Sequence, residues 1–225
     1  MKFSGVQKIS LIDFPDRMAT VLFTPGCNLR CPFCHNWRIV INPRPPFLNQ
    51  EKAIRMLEAR RKFIDAVVIT GGEPTLHREL PKLLKKLEEK DFRIKLDTNG
   101  FFPQTLKESL PFVSYVALDV KTSLDKYCKL GARDLVNFTR SVEMLKNAGV
   151  DYEFRATVVP GFVDEEDMLE IAKIVDGGKR FVFQQFIPDD TLDKTFHKVE
   201  PYPRETIMKR AEQLKPYVGE VLLRV

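Results

Sequence analysis

The chain has 225 residues, 44% of them hydrophobic and 30% charged, enough for one large domain with a substantial core or at most two small ones. Its 36 Lys and Arg against 31 Asp and Glu leave a net charge of +5, dispersed through stretches such as RELPKLLKKLEEKD, which favours a solvated surface over nucleic-acid binding. No apolar run approaches the ~18 residues of a membrane span and Met1-Lys2-Phe3 opens no signal-peptide pattern, so a cytoplasmic protein with no membrane partner is expected.

Residues 1–18 read as an edge extension to a single domain spanning 1–225. Thereafter β-like runs and amphipathic stretches alternate. ATVLFT (19–24) predicts the first strand, and the polar segment TPGCNLRCPFCHNW follows it. A helix is expected over 50–62, then DAVVIT (65–70) as a strand leading into TGGEPT. Next come a helix at 78–90, the strand FRIKLD (92–97), a helix at 103–110 and the strand VSYVALDV (113–120). The order continues with a helix at 134–147, the strand YEFRATVV (152–159), a helix at 165–175 and the strand FVFQQFI (181–187). Residues 203–225 read as an added helix, over 203–217, and a strand-like tail, VGEVLLRV.

Six near-continuously apolar strands alternating with helices predict an α/β fold with a parallel sheet. Six units fall short of the eight that close a βα barrel, so the expected architecture is a partial, open βα barrel of about six parallel strands with covering helices. In such sheets ligands collect where strands give way to loops. The strand ends here read TPGCNLRC, TGGEPT, LDTNG, ALDVK, RATVVPG and QQFIPDD, which places the polar chemistry on one face.

Cys27, Cys31 and Cys34 have the spacing Cx3Cx2C. Three thiols leave one over for disulfide pairing, and a reducing compartment disfavours pairing altogether. Structural zinc normally takes four ligands, and His35 completes the set only if a residue adjacent to Cys34 can turn back onto the same ion. An iron-sulfur cluster held by three thiolates has one iron with an open coordination site, which invites a small-molecule ligand. Beyond this triplet only Cys128 remains. It is expected to be a small packing residue, so an electron for the cluster must come from another protein.

The motif, with Phe33 inside the triplet, resembles the signature of the radical S-adenosylmethionine superfamily. The resemblance implies one 4Fe-4S cluster on Cys27, Cys31 and Cys34, whose unique iron is chelated by S-adenosylmethionine. Reductive cleavage of that cofactor then yields a 5′-deoxyadenosyl radical that abstracts hydrogen. Gly71, Gly72 and Glu73 in TGGEPT resemble the family's GGE motif, which binds the methionyl amino group. Because Glu73 reads as a loop residue, its replacement by Ala is expected to weaken cofactor binding and to spare the fold. Asp97 with Thr98, and Asp119 with Lys121, resemble positions that hold the amino-acid and ribose portions of the cofactor, and the two acids also suggest a cation site. Arg155, Thr157 and Gln185 are further candidate contacts, as are Phe33 and the backbone of His35 beside the adenine.

Cys34-His35-Asn36-Trp37 and the amino-terminal GVQKISLIDFPDRMATVLFTPGC resemble activating enzymes of glycyl radical enzymes, in particular those serving anaerobic ribonucleoside-triphosphate reductase. Asp13 matches an acidic turn residue near the entry of the target glycine, although the turn here reads Asp13-Phe14-Pro15-Asp16 in place of a glycine-rich Asp-Gly-Pro-Gly. The resemblance implies a protein substrate, the glycyl radical enzyme, and an external one-electron donor such as flavodoxin or ferredoxin. Two other readings stay open: a radical enzyme acting on a small molecule or nucleobase, similar to 7-carboxy-7-deazaguanine synthase, and a zinc-stabilised nucleic-acid-binding module.

Overall fold

The computed structural model describes residues 1–224. Two short strands, β1 (Lys2–Phe3) and β2 (Gly5–Ser10), precede β3 (Ala19–Thr24), and the cysteine segment then runs into a short helix α1 (Trp37–Ile41). The sequence pattern had not announced α1 or the two-residue β4 (Leu48–Asn49), which pairs with β1. Next come α2 (Gln50–Ala59), β5 (Ala66–Gly71), α3 (Leu80–Glu88), β6 (Arg93–Thr98) and α4 (Pro103–Ser109). The chain closes with β7 (Tyr115–Asp119), α5 (Val136–Lys146), β8 (Asp151–Val158), α6 (Met168–Val175), β9 (Gly178–Gln185), α7 (Arg204–Leu214) and β10 (Val218–Arg224).

The main sheet has the order β10-β9-β8-β7-β6-β5-β3-β2. All six predicted strands are present, each displaced by no more than about three residues at either end. The carboxyl-terminal addition joins them as a seventh parallel strand beside β9, and β2 adds an antiparallel edge beside β3. Because β2 and β10 lie at opposite edges and do not pair with each other, the barrel is open along one side. No helix among the described residues is long and apolar enough to cross a membrane.

Helices cover the outer face. In α3 the spacing of Leu80, Leu83, Leu84 and Leu87 puts four fully buried side chains on one stripe, while lysines take the other side. Each such leucine contributes about 2 kcal/mol relative to an exposed one. Asn49 caps α2 by accepting from the Lys52 N–H at 2.9 Å. The inner face differs. Near the amino ends of the strands it holds a small apolar cluster of Phe14, Ala19, Val21, Ala66, Val68 and Tyr115, and elsewhere it is lined by charged side chains.

That cluster explains the departure of the 13–16 turn from a glycine-rich one. Phe14 is an anchor, 5% exposed, with its ring centroid 6.1 Å from that of Tyr115. The turn is therefore pinned across the barrel interior by a side chain, and Asp16 takes the left-handed conformation at φ 58° that lets the chain return to β3.

Candidate radical-cofactor site

The carboxyl ends of the parallel strands and the cysteine loop enclose a cavity of about 920 Å³. Its lining includes all sixteen residues singled out from the sequence: Asp13, Cys27, Cys31, Phe33, Cys34, His35, Gly71, Gly72, Glu73, Asp97, Thr98, Asp119, Lys121, Arg155, Thr157 and Gln185.

The three thiols sit in a loop held from several sides. Arg30 Nη1 donates to the Cys27 carbonyl at 2.6 Å and to the Leu29 carbonyl at 2.8 Å. The Leu192 and Asp193 amides donate to the carbonyls of Cys34 and Pro32 at 3.1 and 2.8 Å. Burial pushes the Cys27 thiol up to about 12 and the Cys31 thiol up to about 11, and raises Cys34 as well, with Lys121 pulling all three downward. Such thiols stay protonated until a metal replaces their protons. The donor set fits an iron-sulfur cluster, with three sulfurs lining one cavity and a cation beside them. His35 is not aimed at a shared ion: its Nε2 lies 2.9 Å from the Ile187 carbonyl oxygen, so the side chain clasps the loop after β9.

The glycines of TGGEPT serve the packing of two loops. A Cβ on Gly72 would lie 1.8 Å from the Gly26 carbonyl oxygen, and one on Gly71, at φ 112°, would lie 2.4 Å from the Thr24 nitrogen. This contact lets the Gly72 and Glu73 amides donate to the Thr24 and Gly26 carbonyls at 2.9 and 2.8 Å, locking this turn to the segment that enters the cysteine loop.

Glu73 lies in the loop after β5, as the sequence reads, but it is not outside the core. It is 1% exposed, and its Oε1 accepts from the Thr75 amide at 2.9 Å, from the Thr98 hydroxyl at 2.8 Å and from the Thr75 hydroxyl. Oε2 accepts from the Asn99 amide at 2.7 Å. Desolvation raises its pKa, opposed by these hydrogen bonds. The carboxylate ties the end of β5 to the end of β6, so its removal is expected to disturb the fold as well as the cavity.

Deeper in the cavity, charges alternate in a chain. Asp97 accepts from Lys95 Nζ at 2.6 Å and from Arg155 Nη1 at 3.5 Å, while Asp119 accepts from Arg155 Nε at 2.7 Å and from Lys121 Nζ at 2.9 Å. Burial raises both carboxyls, but the neighbouring cations win and hold Asp97 and Asp119 below the usual carboxylate range. Burial lowers Arg155 and Lys121 in turn, but the acids they face outweigh it and raise both.

Several contributors escaped the sequence reading. Asn99 donates to Asn28 Oδ1 at 2.8 Å and to Cys27 Sγ at 3.6 Å, linking the LDTNG turn to the cysteine loop. Asn36 Nδ2 donates to the Gly71 carbonyl at 2.8 Å. Lys95 was findable, since it shares a strand face with Asp97 two residues on. Gln184 pairs with Thr157 and lines the cavity with it, while Gln185, paired with Val158, borders the cavity too but sends its amide to the Tyr202 carbonyl at 3.2 Å. Phe33 lines the cavity, yet it also packs in an aromatic group with Phe162 and Phe196 at centroid distances of 5.1 and 6.3 Å. Asp13 reaches the cavity rim and is held by its own turn, accepting from the Ser10 hydroxyl at 2.5 Å. Cys128 is exposed rather than packed, with Sγ 3.3 Å from the Asp125 carbonyl oxygen.

Residues 21–174, the span holding the cysteine loop, TGGEPT and the ion-pair chain, match the model of the Radical SAM superfamily. The chain belongs to that superfamily. It lies in the branch of the glycyl-radical-enzyme activating enzymes. It is 35% identical, over 98% of its length and 95% of the relative's, to a Methanocaldococcus jannaschii protein described as "Putative glycyl-radical enzyme activating enzyme". It is 27% identical to the pyruvate formate-lyase-activating enzyme of Clostridium pasteurianum over 98% of both chains. Among solved structures, Streptococcus suis SuiB bound to the precursor peptide SuiA superposes on 90% of the chain with a TM-score of 0.69 at 18% identity, a likeness of fold. The chain spans about half of SuiB, 47% of its length. A radical SAM enzyme works with a 4Fe-4S cluster and S-adenosylmethionine, and these are the cofactors of this one.

Proposed function

We propose that this enzyme is a radical S-adenosylmethionine activase that installs a glycyl radical on a partner enzyme, with anaerobic ribonucleoside-triphosphate reductase as the partner. The observation that carries the reading is the open side of the barrel. One edge of the opening displays exposed Ile9, Leu11, Ile12 and Met18, the other Leu222, and exposed Ile187 follows β9. Ile12 and Ile187 also line the cavity of the three cysteines. An apolar rim leading into a reactive cavity suits a loop of another protein. The near full-length likeness to activating enzymes supports this over a small-molecule substrate, and the sequence from Gly5 to Cys27 supports the reductase as partner.

In this reading Cys27, Cys31 and Cys34 hold the cluster, and the cluster with S-adenosylmethionine supplies the hydrogen-abstracting radical chemistry. Asp97, Thr98, Asp119, Lys121, Arg155, Thr157 and Gln185 bind and orient the S-adenosylmethionine. Phe33, the backbone of His35 and the Gly71-Gly72-Glu73 turn shape its adenine and methionyl ends. Asp13 is placed at the entrance, beside the route of the target glycine. The electron comes from a separate donor of the flavodoxin or ferredoxin type, and the unpaired cysteines support a reducing, cytoplasmic setting. Anaerobic incubation of cluster-loaded enzyme with S-adenosylmethionine, dithionite and the reductase tests the proposal. A glycyl-radical EPR doublet on the reductase, with release of 5′-deoxyadenosine, is expected. Release of 5′-deoxyadenosine without any protein radical would turn the reading towards a small-molecule substrate.

A further inference from the structure

Lys95 lies in the middle of β6, paired in register with Val68 of β5 and Tyr115 of β7, and its side chain is 1% exposed. It does not line the cofactor cavity; Asp97, whose Oδ1 lies 2.6 Å from Lys95 Nζ, does. A buried ammonium is costly unless paired. Its position is decided by what it does for Asp97.

Two acids at the ends of adjacent strands, facing one cavity, invite a cation between them. Here each of their four oxygens already meets a cationic N–H donor. Lys95 takes Asp97 Oδ1 and Arg155 Nη1 takes Oδ2, while Arg155 Nε takes Asp119 Oδ1 and Lys121 takes Oδ2. Three cations face two carboxylates, so the group carries one positive charge over. A further cation would find no free oxygen on either acid and a surplus positive charge between them, and the third buried carboxylate of the cavity, Glu73, is already held by the Thr75, Thr98 and Asn99 donors.

We propose that Lys95 is a positioning residue that acts as a built-in counter-cation for Asp97, so that the pocket binds S-adenosylmethionine without help from sodium, potassium or a divalent cation. Removing the ammonium leaves Asp97 Oδ1 without its donor, and an external cation then becomes useful. This inference rests on the cofactor assignment alone and not on the identity of the partner enzyme, because its test contains no partner protein.

The test is calorimetric binding of S-adenosylmethionine to the cluster-loaded enzyme under anaerobic conditions. KCl, NaCl or MgCl2 replaces tetramethylammonium chloride at constant ionic strength, and melting temperature is followed in parallel. For the wild type, affinity and melting temperature are expected to stay flat across the series. For Lys95→Met, which keeps the unbranched stem without the ammonium, affinity in tetramethylammonium chloride is expected to fall by about tenfold or more and to recover as KCl or NaCl is added. Thallium-205 NMR of the same variant should show line broadening that potassium reverses and that the wild type lacks. A wild type whose affinity or melting temperature rises saturably with any of these cations overturns the proposal, and this arm stands if Lys95→Met fails to fold. A folded Lys95→Met with wild-type affinity and no response to cations overturns it equally, since Lys95 would then be a filler of the barrel interior.

Discussion

At the amino end of the barrel interior, Glu153 accepts from both terminal nitrogens of Arg224 at 3.0 and 2.8 Å and from the Tyr115 hydroxyl at 2.9 Å. Arg180 in turn donates to Tyr115 at 2.9 Å and to Glu220 at 2.7 Å. At the carboxyl end stands the chain Lys95, Asp97, Arg155, Asp119 and Lys121. Both layers are built from alternating charges on neighbouring strands. They differ in balance and outlook. The amino-end layer pairs two arginines with two glutamates, is neutral, and borders a cavity of about 560 Å³ with no cysteine in its lining, Arg224 alone also reaching the cofactor cavity. The carboxyl-end layer has a surplus cation, and Lys121 shares one cavity with the three thiols, whose pKa values it lowers. A balanced network holds strands together; an unbalanced one beside a cavity prepares the site for anionic ligands such as thiolates and a carboxylate.

The sharpest separation of chemistry from scaffold comes from the cysteines. Cys27→Ala, Cys31→Ala and Cys34→Ala should each abolish the reconstituted cluster, read as iron and sulfide content and by Mössbauer spectra, whereas exposed Cys128→Ala should keep about four irons per chain. Equal iron loss in Cys128→Ala would undo the assignment of ligands.

Breaking the amino-end layer should do the reverse. Glu153 is fully buried, so Glu153→Ala should lower unfolding free energy by about 2–4 kcal/mol, the partial exposure of Arg224 keeping it below the cost of a wholly buried pair. Any molecules that stay folded should still load the cluster. Urea titration beside iron analysis checks both halves of this expectation.

Glu73 belongs to both kinds of region. Glu73→Ala strands the Thr75, Thr98 and Asn99 donors and should cost about 2–4 kcal/mol of stability in addition to weakening S-adenosylmethionine binding. Glu73→Gln, which keeps acceptor capacity on one oxygen, should cost less in both. Unchanged urea denaturation of Glu73→Ala would return this residue to an ordinary loop position.

A smaller effect should appear in acid. The folded-state pKa values of Asp97 and Asp119 are depressed, so the stability they contribute is fully present above the unfolded carboxylate value near ~4 and is lost as pH falls below it. Asp119→Asn should therefore flatten the fall of unfolding free energy between about pH 4 and pH 2, measured by urea titration at each pH. An unaltered acid slope would show that the carboxyl-end layer does not hold its carboxylates charged.

Much of this was legible in the chain because it is encoded locally. Runs such as AVVI in β5 are apolar at every position because the strand is covered on both faces, and the leucine spacing of α3 fixes a helix. Cx3Cx2C and TGGE stand close in sequence, so their chemistry showed without coordinates. The partnerships of the inner face were not legible. Lys95 with Asp97 lies on one strand, yet Arg155 reaches both acids only because β6, β7 and β8 are neighbours in register, and Glu153 meets Arg224 across 71 residues. Burial of Glu73, the presence of Gln184 beside Gln185 in the cavity wall and the anchoring of Phe14 likewise depend on which strands lie side by side. Sequence determined the order of strands and helices and the types of ligand at the strand ends. The tertiary structure alone decided which charges are paired and which charge is left over for the cofactor, because electrostatic energy depends on distances that only folding sets.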